Sequence, residues 1–261
     1  MNKTKKYAMP IISVVGIAVI LYILSLAVNS ETLLPSPIVV IEEFLDLLTK
    51  KVFYKEVAFD VLRTIYSFII ALVFAVILAV LSGTNESIER LFYPLIAIIR
   101  AVPTIAIILW CLIIFKSDKS PVAISFIVMF PMLYGALFSA ISSRDKKLDE
   151  MAKIYGIKRK DYIFKIIVPD VADRSFNQVC SLFSFNVKLI VAGEALSYTK
   201  LSLGRELQLA NANIETAKLL ALTVAVILLS VLAEVLLKAI GKLVKGGIYG
   251  YNRKRIIEKL R

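Results

Sequence analysis

Residues 144–169 read RDKKLDEMAKIYGIKRKDYIFKIIVP, a charged stretch that interrupts a strongly apolar sequence. Apolar side chains recur in its first half at the i, i+3, i+4 and i+7 spacing of one helical face. Gly156 follows that face, where a left-handed residue ends a helix. A second apolar run covers residues 161–168, and Pro169 is expected to end it because proline blocks helix continuation. The pattern predicts two short amphipathic helices around a glycine hinge, the first with Leu148, Met151, Ala152 and Tyr155 on its apolar face.

A helix pair of this kind has two ordinary uses. It rests in the lipid interface as a connector, or it inserts into a groove on a soluble partner protein. The pattern alone leaves both uses open.

The composition of the whole chain indicates a membrane protein that crosses the bilayer several times. Of its 261 residues 59% are hydrophobic, with a mean hydropathy of +0.79, whereas soluble domains are about 45–50% apolar. The sequence has no histidine, and Cys111 and Cys180 lie in separate apolar runs. These features exclude histidine-based catalysis and signal neither a zinc site nor a redox motif. Both cysteines are expected to be small buried apolar residues.

Six segments are apolar and long enough to cross a bilayer as helices, which takes about 20 residues. The first could instead be a signal peptide, but its apolar run is long and no small-residue cleavage site follows it, so we expect a retained helix. Pro94 and Pro103 interrupt the third segment and are expected to kink it. The predicted spans are 8–28, 59–81, 91–115, 122–141, 179–196 and 217–239.

The distribution of positive charge orients this predicted bundle. The chain carries a net charge of +12. With the N-terminus inside, the inner segments hold about three times as many Lys and Arg residues as the outer loops, as the positive-inside rule requires. We therefore expect a multi-pass membrane protein with both termini in the cytoplasm, and the charge needs no nucleic-acid partner.

The order of the segments gives a division of the chain. Residues 1–58 hold the first helix and an external loop, in which residues 39–48 have the spacing of a short amphipathic helix on the outer surface. Residues 59–245 form the transmembrane domain, with the charged segment at 144–170. Residues 246–261 form a basic cytoplasmic tail.

Several short motifs resemble those of one transporter family. Glu150-Met-Ala152, Gly156 and Ile166-x-Val168-Pro169 resemble the "EAA" loop of binding-protein-dependent ABC importer permeases. The nitrate, sulfonate and taurine branch is similar in further places. These are Leu34-Pro-Ser-Pro37, Arg63, Arg100-Ala-Val-Pro103, Val191-Ala-Gly-Glu194 and Ser202-Leu-Gly204.

The resemblance implies an all-α membrane protein of six transmembrane helices, of the type I importer permease fold, with a coupling-helix loop between helices four and five. It implies a non-enzymatic permease subunit that pairs with a second, identical or different, permease subunit. Cytoplasmic ABC ATPase subunits and an extracytoplasmic solute-binding protein complete the assembly. No phosphate-loop motif occurs in the chain, so ATP would be bound by the partner. The residues implied in coupling are Glu150, Met151, Ala152, Gly156 and Pro169.

Charges inside the predicted spans are costly, about 2.5–3.5 kcal/mol each at a helix centre, and tend to face protein or water. Arg100 and Lys188 lie deep, where they would give a pathway a positive bias suited to an anionic solute such as a sulfonate or nitrate. Arg63 and Glu194 lie near span ends and are expected to snorkel. Glu234 is expected to pair with Lys238 at i+4. The candidate pathway residues are Arg100, Pro103, Lys188 and Glu194.

Two other classes stay open at this point. A secondary transporter without an ATPase would favour inverted halves and acidic residues in mid-span for proton relay. An integral membrane enzyme would favour clustered acidic residues near the membrane surface. In residues 144–174 the acidic residues alternate with bases, which favours neither class.

Overall fold

A computed structural model of the chain describes residues 3–28, 30, 32–143 and 147–259, which form eleven α-helices and one π-helical turn. The π-helical turn, Ile163–Ile167, joins α8 directly to α9. The helices are α1 (Lys3–Val28), α2 (Pro37–Thr49), α3 (Lys51–Thr84), α4 (Glu86–Ala101), α5 (Thr104–Ile114), α6 (Ser120–Ser142), α7 (Lys147–Ile154), α8 (Arg159–Tyr162), α9 (Val168–Ser197), α10 (Leu203–Ala212) and α11 (Thr216–Lys259).

The centre of the bundle is α6, which packs between α3 and α9. Ala71, Ala75 and Ala79 recur every four residues on α3 and are fully buried. Small side chains at this spacing let two membrane helices approach closely, and dispersion contacts then hold them. They meet large buried side chains of α6, among them Ile124, Met129 and Leu133.

A polar seam runs through this apolar core. We use the name for Thr64 and Ser67 of α3, Ser125 of α6 and Asn186 of α9. The Asn186 amide donates to the Thr64 carbonyl oxygen and to Ser67 Oγ, both at 3.2 Å, and Ser125 Oγ donates to Asn186 Oδ1 at 2.6 Å. Since Asn186 is 0% exposed, its hydrogen bonds join all three central helices away from competing water.

A second apolar cluster lies where α3 and α11 begin. Leu47 of α2 and Leu203 and Ala210 of α10 pack there against Leu222 of α11. The helix expected at residues 39–48 is confirmed as α2, whose N-terminus is capped by Ser36 Oγ accepting from the Val39 amide at 3.5 Å. Its buried face packs on the bundle, while Ile38, Ile41 and Leu45 stay exposed.

The third predicted span is broken, not merely kinked. α4 and α5 meet at a 93° bend across Val102 and Pro103, because proline disfavours helical conformation in the residue before it. Pro94 remains inside α4. In the described residues four helices, α3, α6, the α8–α9 unit and α11, are long and apolar enough to cross a membrane, or five spans with the bent pair. The apolar stretch of α1 found there, Val15–Val28, is shorter than a span.

The expectation that Pro169 ends a helix is wrong. The backbone continues from α8 through the π-helical turn into α9, and Pro169 occupies the first turn of α9. In the π-helical turn the Val168 amide donates to the Ile163 carbonyl oxygen, five residues back. Proline has no amide hydrogen to donate, and a first turn is where this loss is tolerated. The span expected at 179–196 therefore belongs to a longer helix.

The bundle has two ends that differ in character. At one end α3 ends and α9 begins, next to α7 and α8. The described part of the charged segment, residues 147–170, lies there, and we call it the coupling segment after the resemblance in its sequence. At the other end lie the first turns of α3 and α11, the α5–α6 connection at 115–119 and the short helix α10. We call the latter the α10 end. Residues 144–146, the start of the predicted charged segment, lie outside the described residues, as do the side chains of the tail beyond Leu243.

Replacing Asn186 by leucine tests the polar seam. We expect Asn186→Leu to lower stability by about 2 kcal/mol, because hydrogen bonds between membrane helices contribute about 0.6 kcal/mol each and the partners are left unpaired. The measurement is thermal unfolding of the purified chain in detergent. Thr223→Ala is the matched control, since Thr223 is exposed and bonds only its own helix, at the Leu219 carbonyl oxygen. Equal melting temperatures for both variants would contradict the role of the seam.

Candidate functional site

The coupling segment presents apolar side chains away from the bundle. Ile154 is 80% exposed and Tyr155 77% exposed, and Phe164 is also exposed. Glu150 and Met151 are exposed beside them, whereas Ala152 is buried. Exposed apolar patches rimmed by polar groups mark sites of interaction with a protein or a membrane.

Gly156 has the left-handed conformation expected of it, with φ of +61°. A Cβ atom added there would meet nothing within 4 Å, so the position restricts backbone conformation and not side-chain volume. Glycine adopts a positive φ without the cost that a β-branched residue meets. The hinge expected between the two amphipathic helices is therefore present between α7 and α8.

The start of α9 is joined to the end of α6 at the same end of the bundle. Arg174 of α9 donates from Nη1 to the Ser143 carbonyl oxygen at 3.2 Å, and its Nε lies 2.9 Å from Asp170 Oδ2. These contacts fix the first turns of α9 relative to α6, next to the coupling segment.

The exposed face of α9 is unusually polar for a membrane helix. Its exposed residues recur at i, i+4, i+8 and i+11 and so share one face. The exposed residues of α3 after Lys55, and those of α11 up to Ile240, are by contrast almost wholly apolar. Three of the six members of the stripe are polar, and Ser181 Oγ already donates to Glu234 of α11. Asn177 and Lys188 are therefore the polar groups of this stripe that need water or protein beside them. The members of the stripe are Asn177, Ser181, Phe185, Lys188, Ala192 and Leu196.

Arg100 lies at the last turn of α4, above a groove of about 630 Å³ between α4 and α6. Tyr93 and Ala97 of α4 and Tyr134 and Gly135 of α6 also line it. Arg100 is exposed, and a Cβ on Gly135 would lie 3.5 Å from its Nη1. Pro103, at the bend, is exposed as well.

The expectation that Arg63 and Glu194 snorkel separately is wrong. Arg63 Nη1 lies 2.8 Å from Glu194 Oε1 and 3.4 Å from Asp60 Oδ1. The Glu194 side chain is 0% exposed, Asp60 1% and Arg63 17%. Two carboxylates thus share one guanidinium, which supplies the charge-assisted hydrogen bonds that buried carboxylates need. Because Glu194 is enclosed, its side chain does not line an open surface.

The same guanidinium holds the connection between α9 and α10. Arg63 Nη2 donates to the Lys200 carbonyl oxygen at 2.9 Å, and Nη1 donates to the Leu201 carbonyl oxygen at 3.2 Å. Tyr198 and Leu201 have positive φ values of 51° and 49°, which turn the chain sharply at this point. We call Asp60, Arg63, Glu194 and the turn 198–202 the latch.

Other elements at the α10 end also bond to this turn. The Leu203 amide donates to Asp60 Oδ2 at 3.1 Å, and Thr199 Oγ1 donates to the Ser117 carbonyl oxygen at 3.0 Å. Ser117 Oγ donates to the Ser197 carbonyl oxygen. The latch therefore joins α3, the α5–α6 connection, α9 and α10.

Gly204 explains why α10 packs so closely against α9. A Cβ atom there would lie 2.3 Å from the Val191 carbonyl oxygen and 2.6 Å from the Ala195 amide nitrogen, so no side chain fits. Three of the motifs noted in the sequence, Arg63, Val191–Glu194 and Ser202–Gly204, thus come together in one place.

Sequence reasoning missed Asp60 and Asn186. The partners of Asn186 are distant in the chain, whereas Asp60 pairs with Arg63 at i+3 as well as with distant Leu203, and the i+3 spacing was a signal for that pair. The pair Glu234 and Lys238 is confirmed at 2.5 Å, and Glu234 also accepts from Ser181 Oγ at 2.8 Å. Cys111 and Cys180 are both buried, as expected. Arg100 and Lys188 lie on exposed surfaces of different helices, and no contact between them is seen among the described residues.

These features define a helical membrane protein with a charged segment exposed at one end and exposed polar residues, Lys188 among them, on one long helix. The chain matches the model of the binding-protein-dependent transport system inner membrane component over residues 71–246, and it belongs to that family. The resemblance noted in the sequence motifs is thereby confirmed.

Individual relatives are more distant. The chain is 25% identical over 145 residues to the putative aliphatic sulfonates transport permease protein SsuC of Bacillus subtilis, which is 55% of this chain and 52% of that protein. It is 23% identical over 146 residues to the formylaminopyrimidine transport permease protein ThiX of Halalkalibacterium halodurans, 54% of this chain and 57% of that protein. The chain thus spans about half the length of the curated relatives it matches.

A solved structure shares the fold. A chain from inward-facing conformations of the MetNI methionine ABC transporter superposes with a TM-score of 0.57 at 18% identity. The match covers 75% of this chain and 96% of the other.

Proposed function

We propose that the chain is the membrane-spanning permease subunit of an ABC importer and forms the pathway for a small anionic solute of the sulfonate or nitrate type. The family match over residues 71–246 carries this proposal. The chain itself performs no chemistry, and energy comes from a separate ATPase subunit.

The coupling segment is the proposed contact with that ATPase. Glu150, Met151 and Ala152 belong to the first short helix, Gly156 is the hinge, and Pro169 lies in the first turn of α9. Exposed Ile154 and Tyr155 support a docking role, since such large side chains at the rim of a bundle gain from burial in a groove. A groove on a soluble partner protein fits this segment better than the lipid interface, because exposed charges surround the apolar side chains.

The pathway is proposed to run along the polar stripe of α9 and the α4–α6 groove. Lys188 and Arg100 are the cations that face it, and Pro103 sets the bend that presents Arg100. A permease of this family acts with a second permease subunit, identical or different, and the stripe is the surface that we assign to the space between them. The six-span topology, with α1 as the first span, belongs to the same proposal.

The charge distribution supports the orientation. The coupling segment and both termini are assigned to the cytoplasm because the segments at that end hold most of the Lys and Arg residues. The α10 end then faces outward, toward an extracytoplasmic solute-binding protein. Residues 1–58 and 246–261 are an N-terminal helix with an external loop, and a cytoplasmic tail.

A secondary transporter is disfavoured because the acidic residues that would carry its protons are enclosed or paired. Glu194 and Asp60 are enclosed with Arg63 and are not open to a pathway, and Glu234 is held by Lys238 and Ser181. Proton relay needs acidic groups that exchange protons with water on both sides.

The function is tested by expressing the full chain together with the ATPase and the solute-binding protein whose genes lie nearest to its own gene. We expect an ATPase subunit to copurify with the chain, and membrane vesicles to accumulate labelled methanesulfonate or taurine only with ATP and binding protein present. Uptake driven by an ion gradient without ATP would contradict the proposal.

A change at the hinge separates coupling from assembly. Gly156→Val forces a β-branched residue into a left-handed conformation, a cost of about 1–2 kcal/mol, and we expect ATP-driven uptake to fall while the complex still assembles. Gly156→Asn is the matched control, since asparagine tolerates this conformation. Uptake by vesicles and ATP hydrolysis by the purified complex are measured together. Normal uptake by the valine variant would exclude Gly156 from coupling.

The cationic surface is tested by neutralisation and reversal of charge. We expect Lys188→Gln and Arg100→Gln each to raise the KM for methanesulfonate uptake, and Lys188→Glu to raise it further, because a partly desolvated cation attracts an anion over several ångströms. Lys55→Gln removes an exposed lysine from α3 and is the control. An unchanged KM in Lys188→Glu would remove the anion preference from the proposal.

A further inference from the structure

The helix that begins within the coupling segment ends in the latch. α8, the π-helical turn and α9 form one helical unit over Lys160–Ser197, 38 residues. At 1.5 Å per residue it is about 57 Å long, roughly twice the thickness of a hydrocarbon core. Both ends of the proposed transporter are therefore connected by a single helix.

The two ends of this unit are built differently. Its first end, which lies within the coupling segment, contains the π-helical turn Ile163–Ile167. Such an irregularity often marks a functional site in a helix. At the α10 end Glu194 and the turn 198–202 are bonded to Arg63 of α3. A movement of α9 must therefore shift α10 and α3 with it, or break these bonds.

The bonds of the latch are concentrated on one side chain. Arg63 contacts two carboxylates and two backbone carbonyl oxygens, and only the planar, forked guanidinium offers so many donors in fixed directions. The Asp60 carboxylate also accepts a hydrogen bond from the amide of Leu203, the first residue of α10. The start of α10 is thus held through Asp60 and the turn before it through Arg63.

The latch is more costly than a structural contact needs to be. It buries two carboxylates against one guanidinium, and Glu194 Oε2 has no hydrogen-bond partner among the described residues. Apolar residues of similar volume often replace buried ion pairs without loss of stability. An arrangement with this cost is explained if it has a task beyond holding the fold.

We propose that Arg63 is a positioning residue for transport, which transmits movement of α9 from the coupling segment to α10 at the outer face. The inference rests on the proposed function. Arg63 does not touch the solute and acts through the turn 198–202 and Asp60.

The central variant removes the charges and the connection together. Asp60→Asn, Arg63→Met and Glu194→Gln, combined, leave no buried charge uncompensated, so the fold is expected to persist while the bonds to Lys200 and Leu201 are lost. Arg63→Lys keeps the charge balance but loses the fork. Asp46→Asn with Lys50→Met is the matched control, because it removes an exposed ion pair, 2.6 Å long, between α2 and the residue that precedes α3.

The first measurement needs the full chain alone, in membranes. Ala210→Cys places a thiol at a fully buried position of α10. The native cysteines Cys111 and Cys180 are buried in other helices and serve as internal references. We expect the thiol to react slowly with a maleimide in the native background and in the control, and faster in the triple variant. An equal rate in the triple variant would overturn the proposal, because α10 would then not depend on the latch.

The second measurement uses the assembled complex with ATP, binding protein and labelled methanesulfonate. We expect the triple variant to hydrolyse ATP normally and to lose about tenfold in uptake, with a smaller loss for Arg63→Lys, as for residues along a coupling route. Native uptake by an assembled triple variant would overturn the proposal. If the triple variant does not assemble, the test is made with Arg63→Lys, and normal uptake by that variant would likewise overturn the proposal.

The two proposals fail in distinguishable ways. Absence of ATP-dependent uptake by the native complex contradicts the proposed function, while the labelling of Ala210→Cys still shows whether Arg63 holds α10. Normal native uptake together with normal uptake by the triple variant contradicts the latch alone.

Discussion

The hydrogen bonds and ion pairs that keep polar groups out of hydrocarbon determine most of this structure. A bilayer offers no water to a buried charge, so polar groups inside the bundle need partners within the protein. Arg63 with its two carboxylates and Asn186 with its three partners meet this need at two depths of α3 and α9. The same two clusters fix the register of the three central helices, because a shift of either helix would leave a charge or an amide unpaired.

The same constraint tells lipid-facing surfaces from others. α3 and α11 expose aliphatic and aromatic side chains, which lipid tails accept, whereas α9 exposes Asn177, Ser181 and Lys188 along one face. An apolar exposed face carries no information about function in a membrane protein. A polar one does, because it is stable only beside water or protein. Asn177 and Lys188 therefore need water or protein beside them, while Ser181 already has a partner in Glu234 of α11.

Local features of the fold were predictable from sequence, and distant ones were not. Gly156, α2 and the Glu234–Lys238 pair depend on neighbours within one or two turns, and spacing rules describe such neighbours well. Arg63 and Glu194 are 131 residues apart, and each taken alone suggests snorkelling. Their pairing follows only from the helix packing. The course of the chain at Pro169 was missed for another reason, since a π-helical turn has no simple sequence signature.

Close packing explains why motifs that are weak singly become meaningful together. Gly204 lies where its backbone touches that of Val191 and Ala195, which brings Leu203 within reach of Asp60. Without that approach the Leu203 amide could not bond Asp60 Oδ2, and the Asp60 carboxylate would lose a donor that it has besides Arg63. Gly204 of α10 and the acid and arginine of α3 thus depend on one another, although they lie on two helices. A sequence search that scores each motif separately treats this single arrangement as three unrelated coincidences.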